Sequence, residues 1–233
     1  MDWNALIEFD KQLLLAVNGS DSLFLDGLVM TLTKATTWIP LYLSLLYIVI
    51  RNNDSVQKVM LIIAAAALCV FFAGSLDDMI VKPLVARWRP THDPEIGVLV
   101  DTVNGYRGGN YGFFSAHASN TFSIALFFSL LVRSRLLSTF LIAWSLVNCW
   151  TRLYLGVHYP GDILVGLLWG ATVGSSVFLL HQHILKRIGA KKAFVSEHYT
   201  PSGYEKTDVD IVITVLMLTI VYAILRACYF IYV

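Results

Sequence analysis

The chain has 233 residues, 57% of them hydrophobic and only 14% charged, with a mean hydropathy of +0.66. Ordinary soluble domains carry about 25% charged residues, so this composition excludes disorder and a water-soluble globule and points to lipid as the solvent. Seventeen Lys and Arg against sixteen Asp and Glu leave a formal charge of +1, which excludes a broad basic surface for nucleic acid.

In chain order, Trp3 to Val17 comes first. It sets Trp3, Leu6, Ile7, Leu13, Leu14 and Val17 on one side of a helix and Glu8, Lys11 and Gln12 on the other, the pattern of a helix lying at the membrane interface. Asp2, Glu8 and Asp10 argue against a secretory signal, so the spans themselves are expected to target the protein. Asn18-Gly19-Ser20 breaks the helix. Residues 1–20 therefore read as an interfacial element and 21–233 as a single membrane domain. Leu23 to Leu32 is apolar but short and reads as a partly inserted helix leading into a first span around Thr37 to Ile50. Val59 to Ile80, Phe113 to Val132, Leu136 to Trp150, Gly161 to Leu180 and Ile211 to Val233 follow, most near the ~20 residues a helix needs to cross hydrocarbon. The expected fold class is all-α, a polytopic six-transmembrane helix bundle with an N-terminal interfacial helix.

Cys69, Cys149 and Cys228 each lie in an apolar run and read as reduced, buried thiols. Lys186 to Asp208 is the most polar connection and contains the turn signal Pro201-Ser202-Gly203. Alternating the spans puts Arg51, Lys58, Arg133, Arg135, Lys186, Arg187, Lys191, Lys192 and Lys206 on one side. With the basic residues of the motifs set aside, that side reads as cytoplasmic. Both termini and the Thr91 to Gly112 segment then face outward, in a bacterium toward the periplasm.

Three clusters share that outward face. The first runs from Lys82 to Pro90, where Lys82 and Arg89 are seven residues apart and point the same way if the segment is helical. Arg87 and Trp88 within it read as interfacial snorkelling residues. The second, Phe114-Ser115-Ala116-His117, opens a span after a glycine-rich approach of Gly105, Gly108, Gly109 and Gly112. Its Ser115 suits either an ordinary N-cap or, with the helix-start N–H groups, an anion seat, and His117 can carry a proton. In the third, Thr151 to Asp162, Pro160 suits a first helical turn and Asp162 follows His158 by four residues, close enough to accept the imidazole N–H. Three cations (Lys82, Arg89, Arg152), two imidazoles, a hydroxyl and a carboxylate suit a dianionic tetrahedral group, phosphate above all.

Lys, six residues, Arg-Pro; then Ser-x-His; then Arg, five residues, His, three residues, Asp: this pattern from Lys82 to Asp162 resembles the signature of the type 2 phosphatidic acid phosphatase superfamily. That superfamily includes membrane lipid phosphatases, undecaprenyl diphosphate phosphatases, bacterial lipid A phosphatases and soluble vanadium haloperoxidases. The usual Pro-Ser-Gly-His appears here as Phe114-Ser115-Ala116-His117, and the usual Ser-Arg as Thr151-Arg152. The resemblance implies that His158 attacks phosphorus and becomes a phosphohistidine, that Asp162 orients it, and that His117 protonates the departing oxygen. It also implies that Lys82, Arg89, Arg152, Ser115 and the Ala116 amide hold the phosphate oxygens. His158 neutral and His117 charged would give a bell-shaped rate profile.

The expected function is therefore hydrolysis of a membrane lipid phosphate at the periplasmic face of a bacterial inner membrane, with lipid A phosphate or undecaprenyl diphosphate as substrate. No metal or other cofactor is expected, and no nucleic-acid partner; His181-Gln182-His183 and Asp77-Asp78 lack a complete ligand set and read as polar helix-end residues. Phosphotransfer to another lipid differs only in the acceptor. A transporter lined by the same charges is a rival of another class. Arg226 reads as a snorkelling residue or a contact for a second anionic group, and Arg107 as a solvated loop residue or a headgroup contact.

Overall fold

The computed structural model describes residues 3–188 and 197–230. Lys191, Lys192 and the last residues of the expected final span lie outside the described residues. Among the described residues eight principal helices are found: α1 (Trp3–Val17), α2 (Leu23–Leu32), α3 (Ile39–Arg51), α4 (Val56–Val85), α5 (Ala116–Val132), α6 (Arg135–Tyr154), α7 (Pro160–Ile188) and α8 (Lys206–Phe230). Serine hydroxyls start four of them. Ser22, Ser55, Ser115 and Ser134 accept the N–H of Leu25, Lys58, Ala118 and Leu137 respectively, satisfying donors that the first turn leaves orphaned.

Four helices, α4, α6, α7 and α8, are long and apolar enough to cross a membrane. The α2 and α3 segments, bent by 68° at the break between them, make a fifth when counted as one broken span, and α5 is a shorter apolar helix of 17 residues. The expected Leu23 to Leu32 helix has those bounds, and a short 3₁₀ turn at Ala35–Trp38 joins it to α3. The class is an all-helical, multi-pass membrane bundle.

The main core gathers Leu41, Leu45, Ile48, Phe127, Leu137, Leu141, Val212 and Leu216, among others, from α3, α5, α6 and α8. Helices α5 and α7 come close enough for their backbones to touch. A Cβ added at Gly166, Gly170 or Gly174 would fall 2.7, 2.5 or 2.7 Å from the carbonyl oxygen of Ser115, Ser119 or Ser123. Small residues every four positions on both helices thus let the two backbones touch, the close-packing device of membrane helices. This seam anchors the second motif against the third.

Helix α1 has the expected bounds: Leu14 is buried with Ile96, Val100 and Tyr159, Lys11 is buried in an ion pair with Glu95, and Trp3, Leu6, Ile7 and Leu13 stay exposed. One expectation needs correction. Of the cysteines, Cys69 and Cys149 are buried but Cys228 is exposed, between the exposed Leu225 and Tyr229 on α8. Apolar runs in a bundle supply lipid-facing as well as buried positions.

Candidate active site

The three motifs converge at one end of the α5–α7 seam. The Ser115 N–H donates to the Asp162 carbonyl at 3.1 Å, so the start of the second motif is bonded directly to the third. Ser115 is wholly buried. Arg152, 2% exposed, stands in the last turn of α6, and His158, 1% exposed, on the segment joining α6 to α7.

The first motif arrives by a different route from the one its spacing implied. Helix α4 is widened by π turns at Phe71–Ser75 and Asp77–Val81, then ends where Ala86 takes a left-handed conformation (φ 49°). Lys82 and Arg89 are therefore not on one helix face. Arg89 leaves α4 in extended chain, its N–H donating to the Asn110 carbonyl while the Gly112 N–H donates to the Arg87 carbonyl, both at 2.9 Å. That neck folds the 90–111 loop back so that Arg89 is held against the third motif. Gly108 and Gly112 have a physical role here: a Cβ at either would fall 3.1–3.2 Å from the Arg89 side chain.

Arg89 makes the most informative contact. Its Nε donates to the Tyr111 carbonyl, its Nη1 donates to the Val157 carbonyl, and the same Nη1 lies 3.1 Å from His158 Nε2. A guanidinium only donates, so Nε2 carries the lone pair and the ring proton sits on Nδ1. Burial holds the His158 imidazole well below its ordinary range, with Arg89, Arg152, Lys82 and His117 adding to the effect, because all four disfavour a further positive charge. The result is a neutral ring whose lone-pair nitrogen is turned toward Arg89. Burial and the neighbouring Arg152 likewise lower Arg89.

Lys82, Arg152 and His117 surround the same point. The Lys82 ammonium pairs with Asp77 at 3.1 Å and also with Asp78, so these two carboxylates are its counter-charges and not simply polar residues at a helix end. Arg152 donates to the Thr33 hydroxyl at the α2–α3 break and to the Tyr106 hydroxyl at 3.2 Å, while its Nε has no hydrogen-bond partner among the described residues. His117 stands in the first turn of α5, with Ala116 and the Ser115 cap before it.

Asp162 departs from expectation. Its Oδ2 is 3.6 Å from His158 Nδ1, beyond a hydrogen bond, because the carboxylate is already engaged: Oδ2 accepts the Tyr159 N–H at 3.0 Å and Oδ1 accepts from Arg87 at 2.6 Å. Arg87 is thus no snorkelling residue. Its other nitrogen donates to Asp10 of α1 at 2.7 Å, and its guanidinium lies 4.2 Å from the Tyr159 ring centre. Trp88 stays exposed and stacks on Tyr111. Two other residues do not join the cluster's contacts. Arg107 is exposed on the loop, its carbonyl accepting from Thr91, and Arg226 is exposed on α8, donating to the Tyr222 hydroxyl.

Cations, imidazoles and a capped helix start gathered at one end of an apolar bundle define a membrane-embedded phosphatase. The profile of the PAP2 superfamily matches residues 58–186, and the chain belongs to that family. It is 38% identical to a lipid A 4'-phosphatase of Bacteroides thetaiotaomicron, over 95% of this chain and 98% of that one. A lipid A 4'-phosphatase of Porphyromonas gingivalis is 33% identical over 78% of this chain and 77% of its own. A decaprenylphosphoryl-5-phosphoribose phosphatase of Mycobacterium tuberculosis is 39% identical over 46% of this chain and 54% of its own. No solved structure matches.

Proposed function

We propose that the protein removes a phosphate from lipid A at the periplasmic face of a bacterial inner membrane, through a phosphohistidine on His158. The observation that carries this reading is the 3.1 Å contact from Arg89 to His158 Nε2, which sets a lone pair among cations suited to a phosphate dianion. Similarity to two lipid A 4'-phosphatases, over 95% of this chain for one and 78% for the other, supports the substrate.

In this reading the phosphate draws Arg89 onto its own oxygens and frees Nε2. That nitrogen attacks phosphorus, the bond from phosphorus to the lipid oxygen breaks, and His117 gives the leaving oxygen a proton. Asp162 faces the Nδ1 proton and offsets the positive charge that develops on the ring. Lys82, Arg89, Arg152, Ser115 and the Ala116 N–H hold the equatorial oxygens. Water then attacks phosphorus as His117 takes its proton, and phosphate leaves from a restored His158.

The bilayer setting follows the same reading. Counting α5 and the bent α2–α3 pair as spans gives six, residues 21–233 form one domain, and α1 lies at the interface with Trp3, Leu6, Ile7 and Leu13 toward lipid. His158→Ala should remain folded and release no phosphate from purified lipid A. The wild-type enzyme, quenched during turnover of a radiolabelled substrate, should carry label that the variant lacks. Turnover by His158→Ala overturns the mechanism.

A further inference from the structure

Asp162 is wholly buried, and a carboxylate removed from water needs a cation and donors to stay charged. Among the described residues, the permanent cation within ion-pair distance of it is Arg87, 75 residues earlier in the chain. The pairing is not isolated. Arg87 spends its two terminal nitrogens on two carboxylates, Asp162 and Asp10, and lies against the Tyr159 ring. The second oxygen of Asp10 accepts the Gly161 N–H at 2.7 Å, and the Tyr159 hydroxyl donates to Asp93 at 2.7 Å. A closed ring results, running from α1 through Arg87 to the first turn of α7 and back.

We propose that Arg87, clamped by Asp10 of α1, is a positioning residue that supplies the counter-charge of Asp162 and fixes which of its oxygens faces His158. Holding Oδ1 leaves Oδ2 on the His158 side, 3.6 Å from Nδ1, where it can close on the ring as positive charge develops there. Arg87 itself touches no substrate in this arrangement, because its fork is filled by protein carboxylates. Helix α1 thereby becomes part of the active site: Asp10 sets the guanidinium plane, and Leu14 and Lys11 lock the helix onto the outer loop. Lysine cannot reproduce a two-pronged, ring-stacked contact, so it restores charge without full geometry.

This inference rests on His158 as the nucleophile, and the experiment separates the two. Arg87→Gln, Arg87→Lys, Asp10→Asn and His158→Ala are purified in mixed micelles and assayed for kcat and KM, with vanadate inhibition as a measure of pocket integrity. Arg87→Gln should lower kcat on the order of 10- to 100-fold, the usual effect of removing an outer partner of a reacting group. KM and vanadate inhibition should stay within about two-fold. Arg87→Lys should recover part of that kcat, and Asp10→Asn, which leaves Arg87 in place, should lose less than Arg87→Gln. A raised KM with unchanged kcat overturns the proposal, since Arg87 would then contact the substrate. So does an equal kcat loss in the Lys and Gln variants with vanadate inhibition lost, the mark of a merely structural residue, or wild-type kcat in all Arg87 and Asp10 variants. An active His158→Ala would instead remove the underlying mechanism.

Discussion

At the end of the bundle away from the motifs, Leu45, Ile48, Phe127, Leu137, Leu141 and Val212 form an aliphatic and aromatic core that needs only matching volume, beside the buried polar Asp208 and His181. At the motif end the interior holds Asp77, Lys82, Ser115, Arg152, His158 and Asp162, and each of these is fixed by a named partner at hydrogen-bond or ion-pair distance, His158 through its contact with Arg89. The first region tolerates exchange of one hydrophobe for another of similar size. The second does not, because removing one partner leaves a buried polar group or charge uncompensated. Stability and chemistry are thus carried by different ends of the same helices, and the α5–α7 seam is where they join.

The seam is the point at which both should fail together. Gly170→Leu drives a side chain into the Ser119 carbonyl, 2.5 Å from the new Cβ. The expected result is loss of monodisperse protein on size exclusion and loss of all phosphate release. Gly109→Ala, whose Cβ meets nothing within 4 Å, should behave as wild type in both measurements. A smaller effect separates the two ends. Leu137→Ala, at a wholly buried site, should cost about 2–5 kcal/mol in reversible denaturation, with kcat/KM changed by less than about two-fold. A matching fall in kcat/KM would erase the distinction between the regions.

The smallest effect is a tilt in the pH dependence of stability. His158 is held below its ordinary range in the folded protein, whereas the unfolded ring takes a proton near pH ~6.5. Its contribution is therefore fully present above that pH and is lost as pH falls toward the folded value. His158→Asn should show a shallower fall in Tm between neutral and mildly acidic pH than the wild type. Equal slopes would mean that other groups dominate the acid side. The same sign keeps the His158 ring neutral through the neutral range.

Much of this division can be read in the residues themselves. Hydropathy and break signals located α1 and α2 to the residue, and the Lys82, Arg89, Ser115, His117, Arg152, His158 and Asp162 spacings were enough to gather a site that the fold brings together. Lys82 and Arg89 reach it by another path, because a left-handed Ala86 carries no local mark such as glycine. Asp10 and Arg87 were missed for a different reason: their partners lie 151 and 75 residues away, and no periodicity reports such distances. The serines at 115, 119 and 123 and the glycines at 166, 170 and 174 were visible all along. Small residues at four-residue intervals on two apolar helices are a packing signal that charge-centred reading passes over.

Backbone-to-backbone contact along α5 and α7 has one more consequence. The candidate site stands at one end of that seam, and the 90–111 loop is tied to it through its neck, through Tyr106 with Arg152 and Asp93 with Tyr159, and to α1 through Glu95 with Lys11. Exposed side chains outside those ties, such as Arg107, can therefore be exchanged while the buried cluster keeps its alignment. An enzyme organised in this way can vary its surface without relearning its trade.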